Sequence, residues 1–225
     1  LYAAISFLSW QFEQDIPTSE RPILLVLFLF AVVFAGYLVA IRIVTRAPHQ
    51  DKRLLGIVVW ASILFRMILL PSIPIQEIDI FRYVWDGSVA AAGVSPFRFS
   101  PDQVRTASMG SNPDLDDAMT KLVRLCEQRP AVAEALDRVH FGELPTIYPP
   151  TSQAVFTAAT WTTPRQATVW LRVFVMKVWF VGFDLATLFL LIALLKLCNK
   201  PPGMCVIYAW CPLLIKEVAN SGHLD

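Results

Sequence analysis

An almost unbroken apolar run, PILLVLFLFAVVFAGYLVAIRIV, fills residues 22–44, and about 20 such residues suffice for a helix that crosses a bilayer. A second run, 54–74, carries one internal charge, Arg66, and a third, 168–195, carries Arg172, Lys177 and Asp184. A fourth, about 203–219, is short. Residues 1–12 read as the end of an earlier span or as an interfacial anchor, and 151–163 as a re-entrant or membrane-surface segment too short to cross. Between the second and third runs lies a polar loop, 75–167, too long to be a structureless connector. Helical periodicity returns inside it. Asn112-Pro113 with Asp114, Asp116 and Asp117 suits a helix start, and Leu115, Met119, Leu122 and Cys126 form an apolar stripe over 113–126. Residues 130–140 align Val132, Leu136 and Val139, with Gly142 as a stop. The pattern predicts two amphipathic helices on the membrane surface, the first of them lying on the membrane or on the helix bundle, followed by a turn at Tyr148-Pro149-Pro150.

Composition sharpens the class. The chain has 225 residues, 56% of them hydrophobic and 16% charged, with a mean hydropathy of +0.54, which suits an integral membrane protein. A net charge of +1 argues against nucleic acid as a partner. Cys126, Cys198, Cys205 and Cys211 have neither disulfide-framework nor zinc spacing and read as small buried hydrophobes. The run at 22–44 is too long for a secretory signal. With no initiator Met and an end at Asp225 inside a polar motif, the chain reads as a fragment of a longer protein.

Basic residues give an orientation. Arg42, Arg46, Lys52 and Arg53 outnumber Asp51 around the 45–53 connector, which is therefore expected on the cytoplasmic side. Alternation puts the 75–167 loop outside and returns 168–195 to a second basic cluster, Lys196 and Lys200. The fourth run then places Asn220-Ser-Gly-His223-Leu-Asp225 on the same external face as Glu77-Ile-Asp79-Ile-Phe-Arg82-Tyr-Val-Trp-Asp86-Gly87. In a helix, Asp79, Arg82, Tyr83 and Asp86 share one face, backed by Ile80, Phe81, Val84 and Trp85, with Gly93 and Pro96 as a stop. That spacing predicts a wet acidic face on an apolar, aromatic backing.

Three blocks, EIDIFRYVWDGSVAAAGVSPFRFSPD, IYPPTSQAVF and YAWCPLLIKEVANSGHLD, resemble multi-pass GT-C-type glycosyltransferases. More narrowly, they are similar to bacterial mannosyltransferase-like proteins that draw sugar from a polyprenyl-phosphate carrier. The blocks cover about a third of the chain in the family's order. The resemblance implies an all-α, multi-pass helical bundle of GT-C type, with its site on the external face of the bacterial inner membrane and an acidic residue in the first large external loop as the catalytic base. It also implies a polyprenyl-phosphate sugar donor, membrane lipid around the carrier and a glycan, lipid or protein acceptor. A divalent metal is compatible with this chemistry but not required, because the leaving group is already a phosphate.

Asp79 is the expected base, within reach of an acceptor hydroxyl, and Glu77 is its alternative. The structural alternative for both is a helix start that favours acids. Arg82 is expected either on the lipid phosphate or in a surface pair with Asp79 or Asp86. Tyr83 and Asp86 complete the face, although Asp86 before Gly87 also suits a simple turn. Trp85, Phe97 and Phe99 read as an interfacial aromatic belt. Lys216, Glu217, His223 and Asp225 are the expected substrate-binding groups of the last block, with Lys216 equally able to pair locally. Arg66 sits roughly 18 Å into its helix and should pair with Asp184 or Glu217, or lie near the lipid phosphate. Arg172 should snorkel. The rival reading from another class is a transporter or lipid flippase, which would also bury such charges. A non-catalytic scaffold is a third.

Overall fold

The computed structural model describes residues 1–46, 52–110 and 116–223, and among these the regular structure is all helical. The chain divides into two compact units, 1–76 with 180–225 and 77–179. Two helices are long and apolar enough to cross a membrane: α2 (Ile23–Arg46) and α9 (Val169–Leu197). A bent pair, Pro202–Ala209 and Pro212–Ser221, meets the same standard if its halves form one span broken by 57°. The expected span at 54–74 becomes α3 (Lys52–Leu69). It is apolar in its middle but has only 18 residues, and Lys52, Arg53 and Arg66 all fall within that length.

In the first unit, α1 (Tyr2–Ser9), α2, α3 and the later turns of α9 surround the bent pair. One core gathers Tyr2, Ile5, Leu69, Val181 and Ile215, and another gathers Val58, Leu188, Val206 and Ala209. Of the 24 residues of α2, only Val26 and Val44 are buried, so its apolar surface suits lipid rather than protein.

The break in the bent pair falls at Trp210-Cys211-Pro212, between α10 (Val206–Ala209) and α11 (Pro212–Ile215). Proline ends the first helix and lacks an N–H, and carbonyls freed at membrane depth need donors. The Ala209 carbonyl accepts from Arg66 Nη1 at 2.9 Å and from Ser62 Oγ at 3.0 Å. The Ile207 carbonyl accepts from Tyr37 Oη at 2.8 Å. Fully buried Arg66 also forms an ion pair with Asp184, whose second oxygen accepts from Tyr208 Oη at 2.7 Å. The pairing expected for Arg66 is therefore found, with Asp184 rather than Glu217. Past α11 the chain widens into a π-helical turn, Lys216–Ser221, and ends it at Gly222 with φ +63°.

The second unit is built around α4 (Ile80–Ala91), in which every residue from Ile80 to Val89 is buried. This corrects the expected wet face: Tyr83 is 0% and Asp86 1% exposed. Trp85 joins the core with Val104, Leu122 and Val132 instead of forming an aromatic belt, while Phe97 is exposed and Phe99 packs against that core. The helix ends at Ala92, and Gly93 follows with φ +77°, as the sequence indicates. Gly87 lets α4 approach α8 (Pro150–Thr162) backbone to backbone, since a Cβ there would meet the Phe156 carbonyl carbon at 2.7 Å. The segment 151–163 thus packs on α4 as part of a protein core.

The periodicity of the loop holds, with changed bounds and a changed partner. α6 is Asp117–Gln128, capped by Asp116, whose side chain accepts from the Ala118 N–H at 3.1 Å. Residues 112–115 lie outside the described residues. α7 is Pro130–Asp137, so Gly142 is not its stop. Their apolar faces (Met119, Leu122, Leu125, Val132, Leu136) close against Trp85 and Val89 of α4. They therefore bury those faces in protein, not in a membrane surface. One helix escaped the sequence reading: α5 (Pro101–Met109), begun by a capping box between Ser100 and Gln103. Arg172 is 4% exposed and donates to the Arg165 carbonyl at 2.8 Å, so within the protein it is held rather than reaching outward.

This packing predicts a sharp contrast on α6. Leu122→Asp places a charge where the side chain is 1% exposed and should destabilise by about 3 kcal/mol or more. Lys121→Asp, on an exposed position, should change stability by less than about 0.5 kcal/mol. Denaturation of the two variants in detergent measures both, and equal effects would contradict a buried stripe.

Candidate functional site

Glu77, Asp79, Arg82, Tyr83 and Asp86 all belong to the second unit, whereas Lys216, Glu217 and His223 belong to the first. Asp225 lies outside the described residues.

Asp79 stands at the start of α4 with helical torsions already in place, φ −59° and ψ −17°. Its side chain makes no capping hydrogen bond, so capping does not explain an acid here. Instead Asp79 Oδ2 accepts a hydrogen bond from Tyr148 Oη at 2.9 Å. Burial, then contacts with Tyr83 and Asp79, push the Tyr148 hydroxyl well above its ordinary pKa, so it stays a donor. Glu77 and Asp79 are both half-buried just ahead of the helix.

Aromatic rings hold this corner rigid. The Tyr83 ring stacks on Phe156 of α8, with centroids 4.6 Å apart, and meets Tyr148 edge-on at 4.9 Å. Such pairs contribute about 0.5–1.5 kcal/mol each beyond area burial. Arg138, at the end of α7, lies over both Phe81 and Trp170, 5.3 and 5.1 Å from the ring centroids.

Arg82 does not form the expected surface pair with Asp79 or Asp86. It is 8% exposed, and its Nη2 donates to the carbonyls of Phe141 and Leu144 at 3.1 and 3.0 Å. It anchors the turn that follows α7. Asp86 likewise forms no turn. It lies inside α4, where its Oδ2 accepts from Gln153 Nε2 at 3.1 Å, and the same nitrogen donates to Thr146 Oγ1 at 2.9 Å. Burial pushes the Asp86 carboxyl up to about 6, although hydrogen bonds from Thr146 and Gln153 and the charge of Arg82 pull the other way.

In the first unit, Lys216 is buried in the π-helical turn and donates to Glu217 Oε1 at 2.8 Å and to Gln76 Oε1 at 3.2 Å. Local pairing is thus the role observed. The His223 N–H donates to the Glu217 carbonyl at 2.9 Å, closing the turn. Fully buried Asn220 clamps the chain after α3: its Nδ2 donates to Ser72 Oγ and the Ile73 carbonyl, both at 2.7 Å, and its Oδ1 accepts from the Ile75 N–H.

Sequence reasoning missed Thr146, Tyr148, Gln153 and Asn220. A usable signal existed for Gln153 and Asn220, since an amide in an apolar helical segment must find partners or bear a desolvation cost. Tyr148 gave none, because its partner is 69 residues away.

Comparison of the chain with protein-family models, curated proteins and solved structures gives no match in any of the three. Among the described residues the regular structure is all helical, with two apolar helices long enough to cross a membrane.

The Asp86 environment predicts a signed pH effect. An acid whose folded pKa is raised binds its proton more tightly when folded, so its contribution to stability falls as pH rises from 3.8 through about 6. A rise of that size corresponds to about 3 kcal/mol. Asp86→Asn removes the ionisation, so the Tm of the variant relative to wild type should climb between pH 4 and pH 7. A difference that stays flat over that window, read by thermal unfolding, would contradict a proton-binding buried Asp86.

Proposed function

We propose that this chain is part of a membrane glycosyltransferase that moves a hexose, most simply mannose, from a polyprenyl-phosphate carrier to an acceptor hydroxyl on the external face. The reading rests on the three sequence blocks that resemble GT-C-type enzymes. One structural observation carries it further: Asp79 of the first block, unused as a cap, is hydrogen-bonded by Tyr148 of the second. The chemistry asks for a carboxylate held in fixed orientation beside the acceptor. Asp79 takes the acceptor proton, the hydroxyl oxygen forms the new bond to the sugar's anomeric carbon, and the polyprenyl phosphate departs with the electrons of the broken bond. Glu77 is the second carboxylate of this loop. Arg82 Nη2 is taken up by two backbone carbonyls, which leaves its buried Nη1, without a partner among the described residues, as the group of this loop suited to the carrier phosphate. The exposed apolar surface of α2 suits the prenyl tail and bilayer lipid. No metal is required of this chemistry.

A transporter or flippase is the second reading. The broken helix at Trp210–Pro212 and the buried Arg66–Asp184 pair favour it, since discontinuous helices and membrane-embedded charges recur in transporters.

One assay separates them: transfer of labelled sugar from a polyprenyl-phosphate donor in membranes containing the full-length protein. Asp79→Asn should lower transfer roughly 10²–10⁴-fold, the range for loss of a positioned base, with the protein still inserted and folded. If Glu77→Gln abolishes transfer and Asp79→Asn does not, Glu77 is the base. Near-normal transfer in both variants contradicts the enzyme reading, and donor translocation without transfer supports the second.

A further inference from the structure

The second unit holds a cavity of about 240 Å³ at the C-terminal ends of α4 and α8, ringed by Arg129, Thr160, Trp161, Thr163 and Arg165. No acidic side chain lines it. Arg129 also lies close enough to Arg172 for the two like charges to repel. The Nε of Arg172 is buried and has no hydrogen-bond partner. Arg129 and Arg165 thus line the cavity, Arg172 lies behind it, and among the described residues none of the three is in an ion pair. Such an arrangement is unfavourable by itself and becomes favourable once an anion enters.

The wall is fixed in place before any ligand arrives. Arg172 Nη2 holds the Arg165 carbonyl at 2.8 Å, Thr163 Oγ1 donates to the Ala159 carbonyl at 2.7 Å, and Trp179 Nε1 donates to Thr162 Oγ1 at 3.0 Å. A guanidinium fork matches phosphate oxygens. The position indicates where that phosphate comes from. Arg165 lies in the short turn before α9, a helix long and apolar enough to cross a membrane, and Trp161 is 73% exposed. Tryptophan gathers at the headgroup level of a bilayer, and arginine beside it offers a bidentate match to a lipid phosphate.

We propose that this cavity binds the phosphate headgroup of an anionic membrane lipid, independently of sugar transfer at Asp79. The inference rests on α9 crossing the membrane, not on the enzymatic reading. It is tested by native mass spectrometry of the full chain in neutral detergent, titrated separately with phosphatidylglycerol, phosphatidylcholine and inorganic phosphate. Phosphatidylglycerol should bind at least tenfold more tightly than phosphatidylcholine. Arg129→Gln and Arg165→Gln should each weaken it about fivefold, and together roughly 25-fold, if each arginine near the surface contributes as basic residues typically do. The Arg129→Lys, Arg165→Lys pair should retain most of the preference. Lys121→Gln, a cation on α6 that does not line the cavity, should leave it unchanged. Equal binding of the two lipids, or undiminished phosphatidylglycerol binding in the double glutamine variant with native helix content by circular dichroism, overturns the proposal. So does inorganic phosphate that binds alone and displaces the lipid at equal concentration, which would make the ligand a soluble phosphate.

Discussion

Complete burial of α4 is the constraint on which the second unit depends. From Ile80 to Val89 no residue of this helix is more than 8% exposed, so its polar groups depend on neighbouring elements for partners. Asp86 draws in Gln153 and Thr146, Arg82 draws in the turn at 141–144, and Gly87 removes the Cβ that would hold α8 away. The helices around α4 are thereby set in place, and Tyr148, just ahead of α8, is set with them. Asp79 sits where this buried helix begins. Its orientation is inherited from the packing behind it, as the proposed role of a base would require.

A parallel constraint governs the first unit. A helix broken at Trp210–Pro212 frees backbone carbonyls that lipid cannot satisfy. The donors come from Arg66, Ser62 and Tyr37, and the charge of Arg66 is balanced by Asp184. Removing one partner of such a buried pair costs about 3–5 kcal/mol, whereas replacing both together often costs little. Arg66 is unusual because it also serves the Ala209 carbonyl, so an apolar pair would leave that acceptor bare.

Some of this was legible in sequence for plain physical reasons. Hydropathy located α2 and α9 because length and apolarity alone decide whether a helix can span a bilayer. The cost of charge in lipid anticipated that Arg66 would seek a carboxylate. Period and stop signals located α4 and Gly93. What failed was the partner of each apolar face. The stripe on α7 read as a membrane-surface face and that on α6 as facing either membrane or protein, because a helical period says that a face is buried and not what buries it. The polar side of α4 read as solvent-facing, since burying Asp86 requires Gln153 and Thr146, which lie 67 and 60 positions further along the chain. α5 went unseen although Ser100 and Gln103 bear a capping-box signature.

The central claim is that Asp79 and Tyr148, brought together from two separate blocks, act as one catalytic unit. A double-mutant cycle on sugar transfer tests it most directly, using Asp79→Asn, Tyr148→Phe and the pair. If Tyr148 works by orienting the Asp79 carboxylate, Tyr148→Phe should slow transfer about tenfold in the wild-type background and have almost no further effect once Asp79 is Asn. Losses that multiply in full, or a Tyr148→Phe variant as active as wild type, would contradict a shared site.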